Sequence, residues 1–334
     1  MTIWVLKDNR IGSSKQAEFL AKAIGKPYEV KNIVYNKYIT LPNFLKPNRV
    51  GVDFEKSDNI FVANTDINSG RPDTIIFAGR RLAGIAVYLK KYYEKLAKKP
   101  VKLISVLNPN LPFKNFDVVL LPYHDTLSKK SKYKNLINFT GALCNSDLKI
   151  TKEVSDYWGS KLELCRKPLI LWVVGGDVKN KRMNSKKIGD ITAKISNMVL
   201  GCNGTLLVTT SRRTSEKCVT EIKANIACDN LLYIFGEKDA PNPYNLFLTK
   251  CDTVIVTCDS ISMVSEIATL GKNLYMYIPN EVVKEKHRIF CKNMFEKSVA
   301  KPFDFNTEKL ETTNMKKLDE ITEIVEQIKG MIDL

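Results

Sequence analysis

The chain has 334 residues, 44% of them hydrophobic and 26% charged, a composition that excludes wholesale disorder and a length that suggests about two domains. No apolar run approaches the roughly 18 residues of a membrane span, and Lys7, Asp8 and Arg10 interrupt the opening where a signal peptide's apolar core would continue. Eight cysteines without a C-x-x-C pair and only two histidines argue against a zinc site or a disulfide framework, so reduced thiols and a cytoplasmic setting are expected.

Short apolar strands alternate with helical patterns along the chain, the signature of parallel sheets wrapped by helices, and an α/β fold with two doubly wound domains is expected. In the first half the strands are Ile3–Leu6, Thr74–Phe77, Val101–Val106 and Val118–Leu121, with helices near Ser14–Ile24 and Arg81–Leu96. Pro42 and Pro47 make Thr40–Asn48 a loop or edge segment. After a bridging stretch, Thr151–Arg166, a second series follows: strands Leu169–Val174, Gly204–Thr209, Leu231–Phe235, Thr253–Thr257 and Asn273–Ile278. Helices Ile188–Leu200, Glu216–Ala227 and Ser262–Leu270 lie between them. Leu318, Ile321, Val325, Ile328 and Ile332 give a final helix one apolar stripe, expected to dock on the first domain. The domain expectation is therefore 1–155, 160–305 and a closing helical segment, 306–334, with ligands sought at the carboxyl ends of the strands and in an interdomain cleft.

The formal charge of +16 suits nucleic acid, an anionic membrane surface or a phosphate-bearing ligand. Much of it lies in two runs, Lys90, Lys91, Lys95, Lys98, Lys99 and then Lys129, Lys130, Lys132, Lys134. The first run flanks Tyr88, Tyr92 and Tyr93 on an amphipathic helix, which reads either as a solvated face or as a patch facing a membrane or partner. No recognition motif or interleaved aromatic-basic stripe supports nucleic acid.

The loops after the second-half strands hold most of the chemistry. Gly175 and Gly176 let backbone N–H groups approach a phosphate or simply form a turn. Ser211, Arg212, Arg213 and Thr214 place guanidinium forks and hydroxyls at a helix start, with pairing of the arginines to Glu216 or Glu221 as the plainer reading. The strand Thr253–Thr257 passes through Asp259, Ser260 and Ser262 into a helix whose N-terminus favours a diphosphate. Glu266, one turn further, is placed to accept from ribose hydroxyls, while Asp259 or Ser260 also serves as a helix cap. In the first half, Asp8 follows the first strand beside Arg10 and Gly12, and His124 and Asp125 follow Val118–Leu121. These are the base candidates for an acceptor hydroxyl, with a structural role as the alternative for His124. Arg80 and Arg81 open a helix and bind an anion or pair with Asp73 or Asp117.

The run Asp252–Pro279 resembles the donor-binding motif of GT-B glycosyltransferases, especially the N-acetylglucosaminyltransferase that makes lipid II, with Ser260 and Ser262 matching the phosphate contacts, Glu266 the ribose carboxylate and Gly271 the following glycine. Nearly the whole chain is similar to the mitochondrial-fission family first described in plants for elongated mitochondria, with many bacterial homologues. The shared motifs are Asp8 to Gly12 with Gln16, Gly79-Arg80-Arg81, Pro122-Tyr123-His124-Asp125 and Thr140-Gly141-Ala142-Leu143. They continue with Gly175-Gly176, Ser211-Arg212-Arg213-Thr214, Asn242-Pro243-Tyr244 and Thr257-x-Asp259-Ser260-x-Ser262-Met263. Ser215 stands where a proline is common, Cys144 follows the Gly-Ala-Leu run, and Asn273 replaces the usual proline. The resemblance implies a GT-B-like fold and a nucleotide-diphosphate sugar donor, with Asn242, Tyr244 and Met263 joining the donor contacts. An acceptor of unspecified identity and metal-independent glycosyl transfer follow, with no cofactor. The alternative it implies is a non-catalytic, membrane-associated scaffold that keeps the fold, since the plant members are fission factors.

Overall fold

The computed structural model describes residues 1–40, 49–61, 70–125, 133–311 and 315–334. The loop expected beyond Thr40, and Lys129, Lys130 and Lys132, fall outside the described residues. The chain forms two compact units, Met1–Cys144 joined by Asp319–Leu334, and Asn145–Leu318.

The first unit is built on a six-stranded parallel sheet. Its strands are β1 (Ile3–Lys7), β2 (Tyr28–Asn32), β3 (Thr74–Ala78), β4 (Lys102–Val106), β5 (Val118–Pro122) and β6 (Leu136–Phe139), in the order β2-β1-β3-β4-β5-β6. The central strands are continuous apolar runs because helices cover both faces. Ile3, Val5, Ile76, Ile104 and Val118 point to one face, where they meet Ala17, Leu20 and Ile24 of α1 (Ile11–Ile24). Trp4, Leu6, Ile75, Phe77 and Leu103 point to the other, against Leu82, Ile85, Leu89 and Tyr93 of α2 (Arg80–Ala97). Gly25 closes α1 in the left-handed conformation, φ 78°, with its N–H on the Lys22 carbonyl at 3.1 Å.

The second unit repeats the plan with β7 (Leu169–Val174), β8 (Thr205–Thr210), β9 (Asn230–Tyr233), β10 (Thr253–Thr257), β11 (Asn273–Tyr277) and β12 (Lys301–Phe303), ordered β12-β11-β10-β7-β8-β9 and all parallel. Ile170, Trp172 and Val174 of β7 face Ile188, Ile191 and Ile195 of α4 (Ser185–Gly201). Cys218 and Ile222 of α5 (Glu216–Ala224) complete that layer. Leu171 and Val173 face the opposite layer. That layer holds Trp158 of α3 (Lys152–Glu163), Phe247 of α6 (Tyr244–Lys250), Ile267 of α7 (Ile261–Ala268) and Phe290 of α8 (Glu285–Glu296).

Three boundaries differ from the sequence expectation. The stretch Thr151–Arg166 is not a bridge: Thr151 caps α3, whose Val154, Trp158 and Leu162 enter the second core, so the units divide at Cys144/Asn145. Residues 306–318 belong to the second unit, where Leu318 is buried in the core and donates its N–H to the Ala268 carbonyl. The last helix, α9 (Ile321–Met331), therefore begins after Leu318, and Ile324, Val325, Ile328 and Ile332 pack beside α1 on the first sheet. Glu320 fixes its start, accepting from the Thr140 N–H at 2.6 Å and the Thr140 hydroxyl at 2.9 Å. Gln16 holds the same loop through the Leu143 N–H at 3.1 Å. Ser215, at a position where proline is common, caps α5 by accepting from the Cys218 N–H.

Candidate functional site

In the second sheet β7 is flanked by β8 on one side and β10 on the other, so the chain reverses its winding direction between β7 and β10, the position where open α/β sheets bind ligands. The loops after β7, β8 and β10 meet there around one buried carboxylate. Asp259, its side chain fully buried, accepts from the Thr257 hydroxyl at 2.7 Å, the Gly176 N–H at 3.2 Å and Arg213 Nη2 at 2.6 Å. Arg213 Nη1 donates to the Asp177 carbonyl at 2.9 Å. The Thr257 hydroxyl accepts from the Gly175 N–H at 2.7 Å.

This arrangement explains the glycine pair differently from the sequence. A Cβ on Gly175 would stand 1.9 Å from Asp259 Oδ1, and one on Gly176 would stand 2.0 Å from the Arg213 carbonyl oxygen. The close approach that glycine permits is made by the protein's own carboxylate and backbone, and neither residue has a positive φ. Asp259 and Arg213, both expected to touch a ligand, join the loops to one another, and the partner of Arg213 is neither Glu216 nor Glu221. Thr214 is likewise internal: its hydroxyl donates to the Val174 and Gly175 carbonyls and accepts from the Ser211 N–H. Asp177 accepts from the Met183 N–H at 2.8 Å and from Arg182 at 2.6 Å. Burial opposes its ionisation, but these two donors outweigh that and hold its pKa below the ordinary carboxylate value.

Beside this junction a pocket of about 260 Å³ opens over the carboxyl ends of β7 and β8. Ser211, Arg212, Asn242, Tyr244, Met263 and Glu266, six of the residues singled out from the sequence, line it. Arg212 is exposed and has no hydrogen-bond or ion-pair partner among the described residues, in contrast to Arg213. Ser260 caps α7 by accepting from the Met263 N–H at 3.5 Å, and Ser262 stands exposed in the first turn. The sequence reading missed Thr209, Thr210 and Phe235 on the pocket wall. Thr209 and Thr210 end a buried strand directly before Ser211, which is the signal that locates them, whereas Phe235, 45% exposed, lies two residues past the end of β9. His287 was also missed. Buried at the start of α8, it accepts the Lys284 N–H at Nδ1 and hydrogen-bonds the Asp259 backbone, and burial lowers its pKa.

In the first unit the winding reverses between β1 and β3. Asp8 follows β1 with its side chain 3% exposed, accepts the Arg10 N–H at 2.9 Å and lies 4.0 Å from Arg81 Nη1. Arg81 also donates to Asn9 Oδ1 at 3.1 Å, which makes Asp8 and Asn9 its neighbours rather than Asp73 or Asp117. Tyr35 donates its hydroxyl to the Arg81 carbonyl at 3.1 Å; burial, and then the Asp8 charge, push its phenol far above the usual range. Arg10, Gly12 and Arg80 are exposed on the same edge. His124 is buried and Asp125 exposed after β5. β3 and β4 lie between β1 and β5, so Asp8 and His124 follow strands that are not neighbours in the sheet. On α2, Lys90 pairs with Asp117, while Lys91 and Lys95 on the helix and Lys98 and Lys99 just past its end are exposed. Among the described residues no group of three or more His, Cys, Asp or Glu is placed to hold a metal, and no helix is long and apolar enough to cross a membrane.

The family model described as Mitochondrial fission ELM1 matches residues 11–332. The chain belongs to this family. An uncharacterised protein of Rickettsia prowazekii (strain Madrid E) is 32% identical to it, covering 98% of both chains. The mitochondrial fission protein ELM1 of Arabidopsis thaliana is 24% identical over 77% of this chain, which spans 63% of that protein's length. Among solved structures, the UDP-GlcNAc 2-epimerase of Methanocaldococcus jannaschii aligns with a TM-score of 0.54 at 11% identity, over 98% of this chain and 99% of that one. At that identity the likeness shows the fold, which this ELM1-family chain shares with GT-B glycosyltransferases and epimerases: two units, each a parallel six-stranded sheet between helices.

Proposed function

We propose that the second unit binds a nucleoside diphosphate sugar and that the protein is a metal-independent glycosyltransferase of GT-B type. The observation that carries this reading is the pocket over β7 and β8, whose wall combines an unpaired guanidinium, Arg212, with Glu266 and the first turn of α7. The nucleobase occupies the pocket, Glu266 accepts from ribose hydroxyls, and the diphosphate lies against Arg212, Ser260, Ser262 and the free N–H groups of α7. Cationic and helix-terminal neutralisation removes the need for a metal ion to hold the diphosphate. A fold neighbour named for action on UDP-GlcNAc is consistent with such a ligand. Transfer also requires a general base for the acceptor hydroxyl, and Asp8, His124 and Asp125 are the candidates.

Titration calorimetry with UDP, CDP, ADP and GDP tests the binding. Affinity in the micromolar to low millimolar range, weakened in Glu266→Ala, is expected, and no heat with any of them refutes the reading. Sugar release from a panel of nucleotide sugars, compared with His124→Ala and Asp8→Asn, tests transfer; loss of a general base costs about 10²–10⁴-fold in rate.

The exposed lysines of α2 favour a second reading, a scaffold held at an anionic membrane, in keeping with the fission role named for the Arabidopsis relative. In that case no donor is turned over, and reversing the charge of Lys91, Lys95, Lys98 and Lys99 abolishes sedimentation with phosphatidylserine vesicles at low salt.

A further inference from the structure

The run from Thr209 to Thr214 contains four hydroxyl side chains, and the fold accounts for three. Thr210 accepts from the Phe235 N–H at 2.9 Å, Ser211 from the Arg213 N–H at 3.1 Å, and Thr214 bonds to the Val174 and Gly175 carbonyls at the end of β7. Thr209 is different. It is 2% exposed, and its hydroxyl finds no hydrogen-bond partner among the described residues. It also stands on the wall of the 260 Å³ pocket, opposite Val173 in the β7–β8 register. A buried hydroxyl without a partner costs about 1–3 kcal/mol, so its place on a pocket wall calls for a ligand atom that completes it.

The other walls say what kind of atom. Val173 and Val174 are aliphatic, Met263 is flexible and polarisable, and Tyr244 and the half-exposed Phe235 offer flat rings. The volume lies just below the range of about 300–1,000 Å³ typical for whole drug-sized ligands, which suits one ring system rather than a complete nucleotide sugar. A planar heterocycle fits such a slot through its faces and needs one polar group for its edge. We propose that Thr209 is the base-reading residue of this site, its hydroxyl hydrogen-bonding the polar edge of a nucleobase that packs between the valines and the rings. This rests on the nucleotide reading above and adds to it the residue that discriminates the base. A site built to hydrogen-bond a ligand group rejects ligands lacking that group far more strongly than an apolar wall does.

The isosteric Thr209→Val variant tests it with two readouts on the full chain. Without ligand, the variant should melt at or above the wild-type temperature, because an unsatisfied hydroxyl has been replaced by a methyl group of the same shape. With the tightest binder among UDP, CDP, ADP and GDP, its Kd should be about tenfold higher, while Thr209→Ser stays within about twofold of wild type. An unchanged Kd in Thr209→Val overturns the assignment, as does a lowered melting temperature, which would reveal a partner inside the protein. If the wild type binds none of the four nucleotides, the nucleotide reading itself fails; if it binds and only the Thr209 result is negative, this inference fails alone.

Discussion

Asp259 and Gly175 should behave as one unit in a double-mutant cycle. Asp259→Ala removes an acceptor serving three donors and strips Arg213 of its carboxylate partner. Breaking a buried pair costs about 3–5 kcal/mol, but the Arg213 side chain is 37% exposed, so water recovers part of the loss and about 3 kcal/mol is expected. For a unit of this size each kcal/mol lowers Tm by roughly 2–4 °C, giving a fall of about 6–12 °C. Gly175→Ala in the wild type drives its methyl into the same carboxylate, at 1.9 Å, and should cost about 2–3 kcal/mol. Once Asp259 is alanine the three nearest obstructing atoms are gone, so adding Gly175→Ala should then cost less than about 1 kcal/mol. Gly176→Ala meets Arg213 and Thr214 backbone instead, and Asp259→Ala should not relieve it. Urea unfolding followed by fluorescence of Trp158 and Trp172, both in this unit, measures all four corners. Gly175→Ala and Asp259→Ala adding to within about 0.5 kcal/mol would refute the claim that the glycine exists to admit this carboxylate.

The two neighbouring arginines should separate by assay. Arg212→Ala should weaken binding of a nucleoside diphosphate by about 10–100-fold with little change in Tm, whereas Arg213→Ala should lower Tm first, because its guanidinium is engaged with Asp259 and Asp177. His287 is held neutral, its folded pKa below the ordinary value, so the unfolded chain takes up its proton first as pH falls. Its stabilisation is present above the unfolded pKa near 6.5 and is lost as pH drops below it, so wild type should lose Tm between pH 7 and 5 more steeply than His287→Gln in paired melting scans. Thiol titration of the native protein should label exposed Cys202 first. Cys251, whose thiol burial pushes up to about 12, should stay unreactive until denaturant is added; prompt labelling of Cys251 in the native protein would contradict its placement.

The central strands were readable because runs such as Val118–Leu121 and Thr253–Thr257 are apolar on both faces, which only a buried parallel strand requires. Of the four edge strands only β9 was, as Leu231–Phe235; β2, β6 and β12 were not. In β2, Tyr28 to Asn32 is half exposed and carries charge, and β12 has only three residues, so pairing with a neighbour rather than residue type makes them strands. At the site, Arg212, Asn242, Tyr244, Met263 and Glu266 were legible because each follows a strand or opens a helix in a known motif, and the fold does gather them around one pocket. The roles of Gly176 and Arg213 were not, since each depends on Asp259, 83 and 46 residues away, and no local pattern specifies that partner. Leu318 misled for a related reason: it falls in register with the stripe of α9, yet the chain turns between Leu318 and Ile321 and delivers it to the other core.

The division of the first unit into Met1–Cys144 and Asp319–Leu334 has a consequence for biosynthesis. A ribosome delivers the first sheet early, but Ile324, Val325, Ile328 and Ile332, which lie beside α1 on one of its faces, emerge only after all of Asn145–Leu318 has been made. The second unit is contiguous in sequence, while the first needs a segment from beyond it to cover an apolar strip. A chain lacking Asp319–Leu334 should therefore carry that apolar strip of the first unit uncovered, a surface open to aggregation and to chaperones.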